Sequence, residues 1–329
     1  MLLAVFWQVW AFTTWMTNWM DPERIEVRLV LVAAMLIGLA MSAALPRAFA
    51  GLGWVVGAGY AVQHVGRSAF EVAVLRGALR RNFERILAWC SVSAVLALTG
   101  GLVTGPARGL LWALAVAIDV TGALTGFVTP WLGRSSTADW TIAGGHFAER
   151  CQAFILIALG ESIVIIGATL SGIAHITATE VAAFLVAFAG SVALWWVYFD
   201  RSAGASARVI AASDDPGRLG RSAFTLIHPV MVAGIIVAAA ADDKILLSPS
   251  STATAPSAWM ILGGPALFLA GHATFKALVW RVVPWTRLAG VAALALLALA
   301  VPVLAEIALA ACAAAVVAGV AAWDRRPHA

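Results

Sequence analysis

The sequence predicts an all-α protein: a polytopic transmembrane helical bundle of about 11 spans, forming a single integral membrane domain over residues 1–329. Three observations predict it. Hydrophobic residues make up 62% of the chain and charged residues only 12%, about half the charge of an ordinary soluble domain. Apolar runs long enough to cross a bilayer recur from one end to the other. Seventeen of the 21 lysines and arginines fall on one side of the alternation that those runs create.

Taken in order, the spans run roughly 2–19, 28–45, 51–71, 84–103, 109–131, 147–172, 180–199, 222–241, 258–279, 286–301 and 303–323. The first, MLLAVFWQVWAFTTWMTNW, has no basic segment ahead of its apolar run and no small-residue cleavage pattern. It therefore reads as a span and not as a signal peptide. The last two come from one apolar run, 286–323, which is too long for a single crossing. Pro302 is its natural break, because proline cannot continue the helical hydrogen-bond ladder. The loop at 200–221 carries the turn Asp214-Asp215-Pro216-Gly217 and has room for a short interfacial helix before it. The Ser/Thr/Pro-rich segment 242–257 reads as a flexible connection.

The loops orient these spans. Those after odd-numbered spans, with the C-terminus, hold clusters such as Arg76, Arg80, Arg81 and Arg85, and Arg201, Arg208, Arg218 and Arg221. Those after even-numbered spans hold only Arg47, Arg108 and Lys244, and Arg67 lies within a span. Positive charge stays in the cytoplasm, so the odd loops and the C-terminus are expected there. The N-terminus then falls outside, which asks for one more helix before residue 1.

Several function classes are excluded or unsupported. The net charge of +4 suits loops facing anionic lipid; no basic stripe interleaved with aromatics points to nucleic acid. Cys90, Cys151 and Cys312 lie far apart in apolar runs, with no metal or disulfide spacing. There is no phosphate-binding loop, no HExxH and no GxSxG elbow. The sequence therefore implies no cofactor and no metal.

The informative residues are the polar ones inside spans. A charge at the centre of a spanning helix costs about 2.5–3.5 kcal/mol on insertion scales, so such residues default to functional candidates. Glu161 lies about 18 Å beyond Glu149 along the sixth span. His146, Arg150 and Glu161 are spaced to share one face of that span. Asp119 sits in the middle of the fifth span, and two carboxylates at one depth would share a proton or a cation. The alternative is that each is a neutral, hydrogen-bonded link between helices.

Tyr60, His64, Arg67 and Glu71 fall on one face of the third span. Two readings are open for them: a polar lining, or an Arg67–Glu71 pair with Arg67 reaching out to the interface. His228 precedes Pro229, and either satisfies a carbonyl freed by the proline or titrates near neutral pH. Glu306 is expected to be solvated at the start of the last span. Trp195, Trp196 and Tyr198 are expected in an interfacial belt. Gly53/Gly57 and Gly122/Gly126 have the spacing of close helix packing.

Longer patterns add a resemblance. The first is HFAERCQAFILIALGESIV, with His146, Glu149, Arg150, Phe154, Leu159, Gly160, Glu161 and Ser162. The second is AASDDPGRLGRSAFTLIHPVMVAGIIVAAAADD, with His228, Pro229 and Gly234. The third and fourth are WWVYFDR (195–201) and GGPALFLAGHATFK (263–276). In order and spacing these motifs resemble the bacterial low temperature requirement A (LtrA) family over essentially the whole chain. The resemblance implies a multi-pass protein of the bacterial cytoplasmic (inner) membrane. It carries no catalytic or binding residue over. Family members usually begin with an extra helix bearing a Glu-Leu-Phe-Phe-Asp motif, and this sequence starts after the point where that helix would end.

The reading that joins these observations is ion- or proton-coupled secondary transport of a small solute, with the bilayer and a proton or small cation as partners. Its candidate site residues are Glu161, Asp119, His146, Glu149, Arg150 and His228. It expects Glu161 to face the bundle interior. Two alternatives stand beside it. One is a membrane-embedded enzyme acting on a lipid, which needs His146, Glu149 and Arg150 to converge. The other is a cold-adaptation protein of purely structural role.

Overall fold

A computed structural model describes residues 1–137 and 142–324. The described chain is helical, and its only extended pairings are two isolated bridges. Among the described residues, nine helices are long and apolar enough to cross a membrane. A shorter apolar helix, α1 (Leu2–Met16), and an interrupted helix over 53–74 bring the total close to the expected eleven. The helices pack as two compact units, Met1–Ala143 with Asp214–Arg218, and Gly144–Ser213 with Leu219–Ala329.

The first unit contains α1, α2 (Ile25–Ala44), α3 (Gly53–Ala61), α4 (Arg67–Val74), α5 (Gly77–Leu102) and α6 (Pro106–Thr125). Between α3 and α4 the chain makes a π-helical turn, Val62–Gly66, so the three pieces run on as one helix. Val5 and Val9 of α1 pack with Met41, Val56, Tyr60, Ala97 and Trp112 in its core. Helices α3 and α5 approach through glycines. A Cβ on Gly57 would lie 2.4 Å from the Ala97 carbonyl oxygen, and one on Gly101 would lie 2.9 Å from that of Gly53. Gly53 and Gly57 thus pack as their spacing predicts. Gly126 acts differently: it adopts a left-handed conformation (φ +72°) and ends α6.

Arg108, one of the few basic residues assigned to the outside, is a buried clamp (3% exposed). Its guanidinium donates to the carbonyls of Gly100 (3.2 Å), Val103 (3.0 Å), Ala48 (2.7 Å) and Ala50 (2.9 Å). These oxygens belong to the frayed end of α5 and the turn before α3, where helix geometry leaves carbonyls without partners. Arg108→Met should cost at least about 1.5–3 kcal/mol, read as a lower unfolding temperature in detergent. Arg108→Lys should recover only part, because an ammonium cannot span all four oxygens. An unchanged melt in Arg108→Met would contradict the clamp.

The second unit contains α7 (Gly144–Gly172), α8 (Ala178–Phe199), α9 (Ser202–Ala211), α11 (His228–Leu247), α12 (Ala255–Trp280), α13 (Trp285–Leu297) and α14 (Glu306–Asp324); the short α10 (Pro216–Leu219) belongs to the first unit except for Leu219. Helix α9 is the short helix expected before the Asp-Asp-Pro-Gly turn. A second π-helical segment, Gly220–Ile227, leads into α11. The break near Pro302 is a 3-10 stretch, Ala298–Val303. Helices α11 and α12 interlock through Gly234 and Gly264; a Cβ on Gly234 would meet the Phe268 backbone nitrogen at 2.5 Å.

Glu306 corrects an expectation. It is fully buried and paired with Lys244. The segment between α11 and α12 pairs with the start of α14: the Glu306 N–H donates to the Ser251 carbonyl (2.9 Å), and the Ala253 N–H to the Leu304 carbonyl (3.2 Å).

Candidate functional site

The polar face of the interrupted α3–α4 helix turns inward. Tyr60, His64, Arg67, Ser68 and Glu71 are all buried, none more than 5% exposed. A π-helical turn, Val62–Gly66, falls within this stretch. An i→i+5 turn inserts one extra residue and re-aims the side chains around it, and such bulges recur at functional sites. His64 lies within that turn. Helix α6 brings Asp119 (1% exposed) to the same place, and α5 brings Cys90 and Ser93.

The Tyr60 hydroxyl donates to Asp119 Oδ2. His64 Nε2 lies 3.6 Å from the same carboxylate oxygen. On the other side of the ring, His64 Nδ1 is 3.3 Å from an Arg67 guanidinium nitrogen and 3.7 Å from Cys90 Sγ. A guanidinium only donates, so Nδ1 is the acceptor and Nε2 carries the proton towards Asp119. Phe12 of α1 covers the group: its ring meets His64 edge-on at 5.1 Å, and the Arg67 guanidinium sits 5.0 Å over it. A cavity of about 160 Å³ reaches Arg67 and Gln63 from between α1 and α2.

This geometry replaces one of the two readings of the third span. Arg67 is buried and turned to His64 and Phe12; it does not reach out to the interface. The cluster also leaves polar atoms unsatisfied. Asp119 Oδ1, His64 Nε2, Ser68 Oγ, Glu71 Oε1 and two Arg67 nitrogens have no hydrogen-bond partner among the described residues.

His64, Cys90 and Asp119 can place ligand atoms within 4.8 Å of one another. Cys90 and Asp119 nevertheless address opposite nitrogens of the ring, and the Arg67 cation stands on the Cys90 side. The arrangement suits a row of polar groups from Arg67 through His64 to Asp119 and Tyr60, with a 3.6 Å gap between His64 Nε2 and Asp119, better than a cage for a further positive charge.

The remaining sequence candidates lie in the second unit. His146 and Glu149 are exposed and meet at 3.3 Å on the first turns of α7. Arg150 is half-buried on the following turn. Glu161 is exposed, which corrects the expectation that it faces the interior of its bundle. The reason is helical phase. The buried side of α7 is the stripe Phe147, Cys151, Ile155, Leu159, Ser162 and Ile166, and Glu161 projects away from it. His228 is fully buried and both its nitrogens are engaged: Nδ1 with the Ala223 carbonyl (3.1 Å) and Nε2 with the Tyr198 hydroxyl (2.8 Å). Tyr198 is therefore a core residue and not part of an interfacial belt.

With the geometry in view, comparison with known proteins is informative. The pattern of the bacterial low temperature requirement A protein (LtrA) family matches residues 1–322. The chain belongs to this family. An uncharacterized protein of Rhizobium meliloti (strain 1021) is 34% identical to it over 328 residues, covering 98% of this chain and 80% of that protein. No solved structure matches the chain.

In this LtrA protein the Leu159-Gly160-Glu161-Ser162 motif divides by face. Leu159 and Ser162 point inward, each 3% exposed, while Gly160 and Glu161 are exposed. The buried cluster draws on no single motif. Asp119 and the face Tyr60–His64–Arg67–Glu71 are legible in the sequence as intramembrane polar groups. Cys90 is not, because it looks like any small core residue. The signal that would have joined them is the glycine packing of α3 on α5, which sets His64 beside Cys90.

Proposed function

We propose that this LtrA protein is a proton-coupled carrier of a small solute in the bacterial plasma membrane, with its C-terminus in the cytoplasm. Asp119 takes up and releases the proton, and Tyr60 and His64 pass it along. One observation carries the reading: a buried carboxylate within a membrane helix, bonded to tyrosine and facing histidine, amid several polar atoms that lack partners. A purely structural lock satisfies its donors and acceptors, because an unmatched polar group in low dielectric is costly. Titratable groups inside a membrane mark ion and proton paths by default. The cavity between α1 and α2 reaches the cluster at its Arg67 end.

A second reading is favoured by the Tyr60–Asp119 bond itself. It ties α3 to α6 and would stabilise the unit whether or not a proton moves.

The test is proton flux into proteoliposomes under an imposed pH gradient. The wild-type chain should exceed protein-free vesicles, and Glu161→Gln, which alters an exposed side chain outside the cluster, should retain the flux. No flux in the wild-type chain, with or without a sodium gradient, would reject proton coupling. Flux lost in Glu161→Gln alone would move the proton site to α7.

A further inference from the structure

The first unit holds another cavity, of about 300 Å³, between the α1–α2 connection and the α4–α5 connection. Its apolar lining is Trp19, Met20, Val27, Phe70, Val74 and Leu75. All of these but Trp19 pack as one cluster around the buried Met20 and Val27, so that part of the lining is continuous. The polar lining is Asp21, Arg24, Glu26 and Arg76, all exposed. Both α2 and α5 are long and apolar enough to cross a membrane. The connections that precede them therefore lie where a span meets water, and Trp19 is the residue type that favours that depth.

The charges there are partly spent on one another. Arg24 pairs with Glu26 (3.5 Å), and the neighbouring Glu23 pairs with Arg28 (3.6 Å). Asp21 Oδ1 accepts from the Glu23 N–H (2.8 Å), which leaves its other oxygen open. Neither Asp21 nor Arg76 has an ion-pair partner among the described residues, and the Arg76 guanidinium has no hydrogen-bond acceptor there either. One cation and one anion thus face the same cavity without pairing with each other.

That pattern selects a ligand. A purely anionic ligand would suit Arg76 and be repelled by Asp21; a purely cationic one would meet the reverse. A zwitterion satisfies both, because a guanidinium holds a phosphate through paired N–H donors and a carboxylate accepts from an ammonium. The apolar lining asks for a hydrocarbon body on the same molecule. A volume near 300 Å³ is at the small end of ligand pockets, suited to a head group whose acyl chains stay in the bilayer.

We propose that this cavity holds the head group of a phospholipid bearing a phosphate and a primary ammonium, a phosphatidylethanolamine. Arg76 takes the phosphate and Asp21 the ammonium. The two groups need not converge on one atom, since the head group itself separates its charges. The site does not rest on the proton-carrier reading: none of its residues belongs to the Asp119 cluster, and lipid binding is read without flux.

The experiment is thermal unfolding of the purified full-length protein in detergent micelles titrated with phosphatidylethanolamine, phosphatidylcholine or phosphatidylglycerol of the same acyl chains. A ligand that binds only the folded state raises the unfolding temperature in a saturable way. Phosphatidylethanolamine should do so at a severalfold lower fraction than phosphatidylcholine, whose quaternary ammonium has no N–H to donate, or phosphatidylglycerol, which has no ammonium. Asp21→Asn should lose the preference over phosphatidylcholine. Arg76→Gln should raise the half-saturating fraction severalfold, while Arg81→Gln, outside the cavity, should behave as the wild type. Equal wild-type responses to the three lipids would overturn the site, as would a stronger response to phosphatidylglycerol or a preference that survives in both variants. Free phosphoethanolamine stabilising as well as the lipid would overturn the lipid as occupant. Should a variant fail to fold, the wild-type comparison of the three lipids decides on its own.

Discussion

Asp119→Asn is expected to reduce proton flux to the leak of protein-free vesicles while the protein remains folded. The substitution separates the two roles that the cluster suggests. Asparagine keeps the shape of aspartate and still accepts the Tyr60 hydrogen bond, so the tie between α3 and α6 survives. It carries no exchangeable carboxyl proton. Loss of a positioned acid or base costs about 10²–10⁴-fold in rate where proton transfer matters, enough to bring flux to background. Asp119→Glu should retain measurable flux, since the carboxyl is preserved at a longer reach. His64→Gln and Tyr60→Phe should fall between, because each removes one neighbour and leaves the carboxylate. Wild-type flux in a folded Asp119→Asn protein would assign the cluster to the structural reading. The orphaned atoms around His64 and Glu71 would then be strain and not a path.

The largest stability effect is expected at Arg287. This residue is fully buried at the start of α13 and pairs with Asp324 at the end of α14. Its Nε donates to His272 Nδ1 of α12 (3.2 Å), and another of its nitrogens to Thr286 (2.8 Å). Thr286 in turn donates to Asp324 (3.0 Å). One guanidinium therefore joins three helices. Arg287→Leu takes the guanidinium from a carboxylate that keeps only the Thr286 hydroxyl bond and from an imidazole, and breaking a buried pair from one side costs about 3–5 kcal/mol. Lys276, 3.8 Å from Asp324, softens the loss, so the lower end of that range is expected. The double variant Arg287→Leu/Asp324→Leu should be more stable than the single one, because it removes the stranded charge as well. Chemical unfolding in detergent micelles measures both. A single-variant cost of about 0–1 kcal/mol, the size of an exposed pair, would show that the network does not hold the helices together.

The spans were readable because crossing a bilayer imposes length and apolarity on each helix separately. Pro302, the short helix α9 and the Gly53/Gly57 face were readable for related local reasons: a missing donor, a turn signal and a helical spacing. Burial was not readable in the same way. In a soluble helix the apolar stripe marks the core. In a membrane helix the lipid is as apolar as the core, so the stripe vanishes. Leu29, Met35, Leu36 and Leu39 of α2 are each more than 60% exposed, yet they are as hydrophobic as any core residue. The same loss of contrast made Glu161 look like an inward carboxylate and Glu306 like a solvated acid, and it left Arg67 open between an inward and an outward reading.

By itself, the sequence determined the membrane class, the approximate count and limits of the helices and the family. It also singled out Asp119 and the face Tyr60–His64–Arg67–Glu71 as intramembrane polar groups. All of these follow from composition and spacing along one chain. Only the tertiary structure decided which polar groups meet. Glycine contacts brought α3 against α5, the packing of α5 and α6 set Cys90 and Asp119 on either side of His64, and the phase of α7 turned Ser162 inward and Glu161 outward. The physical reason is that a polar group's partner in the membrane is set by the rotation and depth of its helix, and those are chosen by backbone contacts between helices far apart in sequence.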